Sequence, residues 1–263
     1  MMLDDVLIFG GIVVIGVLGY HVKSLSKSGS IAAIIVGMAV FIGFGVKGLI
    51  LLGSFFASSS LWSNYKSSRK KEIEEKLAKG ARRDWRQVFA NGGAAVFFSV
   101  LHYFYGGWMP LIGFMVTLAS ANSDTWASEI GSLSRRNPLY IRTFRRIEKG
   151  TSGAISFLGS SAALIGSLFI SLIGGWLFHL DSTVTILIFL FGFIGNVIDT
   201  LMGAFYQQEY ICKNCGLMTE KKIHCHLETT RIKGFTFVDN DMVNFLSGFM
   251  AAIFSILIIQ IIG

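Results

Sequence analysis

The chain has 263 residues, of which 52% are hydrophobic and 15% charged, with a net charge of +7. That balance excludes an ordinary soluble domain and fits a polytopic membrane protein. It does not signal nucleic-acid binding, because the basic residues fall in short loops between apolar runs, as the positive-inside rule describes.

The opening "MMLDDVLIFGG" lacks the basic stretch of a secretory signal, so the first apolar run is read as a retained helix. A helix crosses a bilayer in about 20 residues. On that scale the apolar runs predict spans at 5–20, 30–44, 48–63, 87–105, 108–125, 151–178, 182–205 and 237–262. The expectation is one all-α domain over 1–263, a transmembrane helical bundle of about eight spans. The count falls to seven if 30–63 is re-entrant, since only "GFGVKG" joins the second and third runs. Thirty glycines suit helices that pack closely in lipid.

With the N-terminus outside, the loops at 21–29, 64–86, 126–150 and 206–236 hold every Lys and Arg except Lys47. The rule then puts those loops in the cytoplasm. The 64–86 loop reads as partly helical, with Glu72 and Glu75 spaced against Lys76 and Lys79. It is either a solvated helix near anionic headgroups or a segment whose Arg82, Arg83 and Arg86 reach a phosphate.

The polar residues of the spans gather on that same side. Asn91 opens the fourth span. Asn122, Asp124 and Glu129 close the fifth in "NSDTWASEIG". Asn196 and Asp199 lie in the inner half of the seventh, and Asp239, Asn240, Asp241 and Asn244 open the eighth. A carboxylate within a span costs roughly 2.5–3.5 kcal/mol or more and marks function by default. For a single Asn the plain alternative is an interhelical hydrogen bond. Asn196 and Asp199 share a helix face, as do Asp241 and Asn244. Such oxygen groups suit Mg²⁺, which takes one or two carboxylates plus substrate phosphates. Asp124, Asp199 and Asp241 are the expected ligands.

Gly150, Thr151, Ser152 and Gly153 are read as opening the sixth helix directly after Arg142, Arg145, Arg146 and Lys149. Free N–H groups at a helix N-terminus bind anions. The alternative is an ordinary capped helix; the run is not a Walker A loop. Carboxylates facing a basic, glycine-rich segment at a membrane surface suggest a phosphorylated amphiphile, a metal and a nucleotide.

"YICKNCGLMTEKKIHCHLETT" places Cys212 and Cys215 as C-x₂-C, followed by His224, Cys225 and His226. In a cytoplasmic loop these are either ligands of a structural Zn²⁺ (Cys212, Cys215, Cys225 and His224 in the preferred set) or reduced thiols.

These segments, with "KGARRDWRQVFANGG" and "FIGNVIDTLMGA", resemble the integral-membrane family called domain of unknown function 92. That family includes transmembrane protein 19 and the plant phytyl-phosphate kinase of tocopherol synthesis. The resemblance covers nearly the whole chain and implies phosphorylation of an isoprenyl monophosphate to the diphosphate. "SDTWASEIG" and "GTSGAIS" are also similar to dolichol and phytol kinases, which commonly use CTP. The carry-over matches Asp124, Ala127, Ser128, Glu148, Gly150 and Thr151. Ser123 stands where those kinases have Gly, and Lys149 separates Glu148 from Gly150.

The expected activity is thus a CTP- or other NTP-dependent, Mg²⁺-dependent kinase of a polyprenyl monophosphate. Its expected seat is a prokaryotic plasma membrane, with the site facing the cytoplasm. In that reading Asn122, Asn196 and Glu129 join the carboxylates, while Asn91, Asn240, Asn244 and the basic segment hold phosphates. A transporter or flippase of a phosphorylated lipid and a lipid nucleotidyltransferase are the rivals. Chain length, nucleotide and oligomeric state stay open.

Overall fold

The computed structural model of the protein describes residues 3–65, 71–80 and 82–262. The side chain of Glu72 lies outside the described residues, and with it half of the charge ladder expected in the 64–86 loop.

Among the described residues eight α-helices follow in order: α1 Leu3–His21, α2 Lys27–Asn64, α3 Lys71–Lys76, α4 Trp85–Tyr105, α5 Trp108–Gly131, α6 Phe157–Phe178, α7 Ser182–Phe205 and α8 Asn240–Ile262. Side-chain caps set the starts of α2, α4, α6 and α7. Asp84 accepts from the Gln87 amide in a capping box, while Ser26, Ser156 and Asp181 accept from the amides of Gly29, Gly159 and Val184.

The second and third expected spans form one helix interrupted at Gly45, where φ is 62° and ψ −154°. Glycine tolerates that backbone without a Cβ penalty. A Cβ on Gly48 would lie 3.0 Å from Val40 Cγ1. Eight residues along a straight helix are about 12 Å apart, so the chain reverses at Gly45 and its two arms pack together.

α5 is the central helix. It packs against α2, α4, α6, α7 and α8, and is buried almost continuously from Pro110 to Ser123. Small residues allow the close approach: Gly192 lies against Ala119 and Ser167, and Gly195 against Ser120 and Ala251. Outward faces carry large apolar side chains, such as Ile165, Trp176 and Leu257, as a lipid-facing surface requires.

Among the described residues five helices are long and apolar enough to cross a membrane: α2, α4, α6, α7 and α8. They fall short of the expected eight for physical reasons. α2 contains two expected spans, α1 is shorter, and α5 carries more polar groups.

The chain is mostly helical, as expected, and its loops add short strands. Among the described residues the loops carry eight short strands: β1 Leu139–Tyr140, β2 Arg145–Arg146, β3 Ala154–Ile155, β4 Glu209–Ile211, β5 Met218–Thr219, β6 Ile223–His224, β7 Leu227–Glu228 and β8 Thr230–Lys233. They pair antiparallel in the orders β2-β1-β3, β5-β4-β8 and β6-β7. Two helix starts shift as well. α6 begins at Phe157 rather than 151, because Gly150 and Gly153 both hold φ 84°, outside helical space. α8 begins at Asn240, with the Asp239 side chain accepting from the Met242 amide at 3.0 Å.

Candidate functional site

A cleft of about 370 Å³ opens at the end of the bundle where α4 and α8 begin and α5 and α7 finish. α5 brings Asp124, Ser128 and Glu129 to it. α7 brings Asn196, Asp199 and Thr200. Gln87 and Asn91 come from α4, Asn240, Asp241 and Asn244 from α8, and the segment from Lys149 to Ser156 forms a wall.

Two carboxylates anchor the arrangement. Asn196 Nδ2 donates to Asp124 Oδ1 at 3.2 Å. Ser247 Oγ donates to Asp199 Oδ2 at 3.2 Å. With its amide nitrogen turned toward the carboxylate, Asn244 donates to Asp199 Oδ2 at 3.0 Å and to Asn240 O at 3.2 Å. These donors are neutral. Among the described residues neither Asp124 nor Asp199 is ion-paired with Lys, Arg or His. Two carboxylates facing a polar cleft without a cation match the donor set Mg²⁺ takes.

Asp241 differs. Lys79 Nζ binds its Oδ2, and binds Asp84 at 3.0 Å, so its charge is already matched. Glu129 Oε1 accepts from Ser63 Oγ at 2.6 Å. Arg83 also reaches the cleft. Burial pulls its guanidinium below the ordinary range, and the Glu129 carboxylate opposes that pull.

The glycine segment is a loop, not a helix start. A Cβ on Gly153 would meet the backbone and side chain of Ala204 at about 2.5 Å. Lys149 reaches back to the carbonyls of Ser132 (3.1 Å) and Ser134. Behind the wall, Glu220 accepts from Ser152 Oγ (3.0 Å), Gln207 Nε2 (2.7 Å) and the Ala78 amide (3.2 Å). Burial pushes its carboxyl up, partly offset by those donors. Glu220 joins three separate segments of the site, and no motif or spacing in the sequence singles it out.

Other expected residues lie elsewhere. Arg145 and Arg146 sit exposed on β2, away from the cleft lining, and Arg146 donates to Asn137 O. Asn122 is fully buried among helices. It accepts from Ser58 Oγ at 2.9 Å and donates to Gly166 O at 2.7 Å. Asn91 lines the cleft, with its amide donating within its own helix to Gln87 O. Of the three arginines expected near a phosphate, Arg82 donates to Leu25 O at 2.9 Å and Arg86 faces Asp239 at 3.8 Å. Cys212, Cys215, His224 and Cys225 gather outside the cleft, with ligand atoms within 4.8 Å of one another.

The family profile described as integral membrane protein DUF92 matches residues 10–252. An uncharacterized membrane protein of Methanocaldococcus jannaschii is 36% identical over 210 residues, covering 79% of this chain and 86% of that one. Protein PGR of Arabidopsis thaliana is 30% identical over 253 residues, covering 87% and 86%. Protein VTE6, chloroplastic, of the same plant is 25% identical over 246 residues, covering 92% and 67%. No solved structure matches the chain.

Proposed function

The chain belongs to the DUF92 family of integral membrane proteins, and from that premise we propose that it is a Mg²⁺-dependent kinase converting a polyprenyl monophosphate to the diphosphate. The donor is CTP or another nucleoside triphosphate, and the cleft faces the cytoplasm of a prokaryotic plasma membrane. One observation carries the reading: Asp124 and Asp199, on neighbouring helices, face one polar cleft with neutral donors and no ion pair among the described residues. A carboxylate pair in a membrane bundle calls for an outside cation. The basic loops at that end support the cytoplasmic side, where the donor is abundant. The resemblance to phytyl-phosphate kinase supports the substrate class.

In this account Asp124 and Asp199 hold Mg²⁺, which when bound neutralises charge on the phosphates. Asn196, Asn244 and Ser247 hold the two carboxylates in place. The Gly150–Gly153 backbone amides, with Lys149 and Arg83, receive the donor phosphates. Asn91 and Asn240 line the same space and offer hydrogen bonds to phosphate oxygens. An oxygen of the lipid phosphate attacks the terminal phosphorus. The bond to the nucleoside diphosphate breaks, and that diphosphate leaves with the electron pair. The acceptor is already an anion, so no general base is required, and positioning supplies most of the rate.

The test incubates purified protein with Mg²⁺, a panel of nucleoside triphosphates and geranylgeranyl or phytyl monophosphate. Lipid diphosphate with nucleoside diphosphate supports the kinase and names the donor. Nucleotidyl-lipid with pyrophosphate assigns a nucleotidyltransferase instead. Movement of the lipid phosphate across vesicles without turnover assigns transport.

A further inference from the structure

The loop between α7 and α8 carries a second polar cluster, which the phosphotransfer reading leaves unused. Cys212 follows β4, Cys215 and Gly216 turn the chain back, and His224 and Cys225 stand at the tip of the β6–β7 hairpin. We infer that this loop holds a structural Zn²⁺ through the three cysteine sulfurs and His224 Nδ1, with Glu75 of α3 steadying the histidine from outside.

Distances support this first. Tetrahedral Zn²⁺, with bonds of about 2.3 Å to sulfur and 2.0–2.1 Å to nitrogen, implies S···S edges of about 3.8 Å and S···N edges of about 3.6 Å. Cys215 Sγ and Cys225 Sγ lie 3.8 Å apart, and His224 Nδ1 lies 3.6 Å and 3.3 Å from them. The ligand atoms of all four residues fall within 4.8 Å of one another. Cys215 and Cys225 thus stand at the spacing of two ligands of one ion, too far apart for an existing disulfide, and Cys212 lies within reach of the same point.

The second support is the other face of the histidine. His224 Nε2 lies 3.6 Å from Glu75 Oε1. Metal-bound histidines commonly turn their free ring nitrogen toward a carboxylate, which fixes the tautomer that leaves Nδ1 free to ligate. The third is the backbone. Cys225 and His226 form the two-residue turn of β6–β7 with φ 51° and 61°. Such a turn favours Asn-Gly, so a cysteine and a histidine there store local strain. Ligation by Cys225 offsets that cost.

The site also has a mechanical consequence. The loop it closes presents Thr219 and Glu220 to α3: Thr219 Oγ1 and the Glu220 amide both donate to Lys76 O, at 2.7 and 2.9 Å. Glu220 then ties Ala78, Ser152 and Gln207 together. Zinc thus holds the loop that braces one wall of the cleft.

The test measures metal by elemental mass spectrometry in the full chain, purified in detergent without chelator. About one zinc per chain is expected. Its removal by a chelator should open trypsin cleavage after Lys76 and Lys79. Cys215→Ser and His224→Ala should lose most of the zinc. Glu75→Gln should fold and bind zinc, but yield it to a chelator at roughly 10–100-fold lower concentration. Asp124→Asn should keep its zinc, so this inference and the phosphotransfer reading fail separately. Native protein that is monodisperse, carries under about a fifth of a zinc per chain, and shows either three free thiols or a Cys215–Cys225 disulfide would overturn the inference.

Discussion

Asn196 on α7 donates its side-chain amide to the Asp124 carboxyl group on α5 at 3.2 Å, joining two helices through a neutral donor. Asp199, one turn further along α7, is held the same way by Ser247. Two buried acids with no ion-pair partner among the described residues work against stability unless a cation is bound. Replacing either with its amide should therefore leave folding intact or improve it. Turnover of Asp124→Asn and Asp199→Asn should drop on the order of 10²–10³-fold, the scale for removing one electrostatic contact to the reacting group. Turnover per monodisperse molecule checks this.

Gly153 tests the loop that replaces the expected helix start. Its φ of 84° and its contact with Ala204 leave no room for a methyl group. Gly153→Ala should displace the 150–153 backbone and cut turnover by about tenfold or more, equivalent to roughly 1.4 kcal/mol. Zinc content and the α-helical signal should stay at native levels.

The basic residues separate by position. Arg145→Ala with Arg146→Ala, on exposed β2, should change turnover by less than about twofold, as surface changes do. Lys149→Ala should raise the donor KM about tenfold or more, the scale of a lost charge-assisted hydrogen bond. Steady-state kinetics with a varied donor distinguishes the two.

Asp84 gives a pH prediction. Burial pushes its carboxyl up, but the Gln87 amide, the Lys79 ammonium and the Arg86 amide outweigh that and hold it below its ordinary value. A depressed folded-state value means the contribution is fully present above the unfolded value of about 3.9 and fades as pH falls through the folded one. Asp84→Ala should cost about 1 kcal/mol at neutral pH through loss of the α4 cap. Asp84→Asn keeps a cap and should weaken the loss of stability below about pH 4. Unfolding in mixed micelles across pH 3–7 measures both.

Much of this was legible in the sequence because hydrophobic length and charge are local properties. The runs at 87–105 and 182–205 match α4 Trp85–Tyr105 and α7 Ser182–Phe205 closely. The gathering of Asp124, Asn196, Asp199 and Asn244 was legible too, since helix direction alternates and puts every second end on one side. What escaped depends on tertiary contact. Gly150 and Gly153 look like a helix start until their left-handed backbone is known. Asp241 looks like a ligand until Lys79, distant in sequence, is found on it. Asn122 looks catalytic until Ser58 and Gly166 fill its hydrogen bonds.

The central claim is that Asp124 and Asp199 together hold the metal that receives the phosphates. The most direct measurement is turnover against Mg²⁺ concentration in native protein, Asp124→Asn and Asp199→Asn. The account predicts no turnover in chelator, saturation by Mg²⁺ in native protein, and a large rise in the half-saturating concentration, or no recovery, in each variant. Native-like Mg²⁺ dependence in both variants, or turnover that persists without divalent metal, would contradict it.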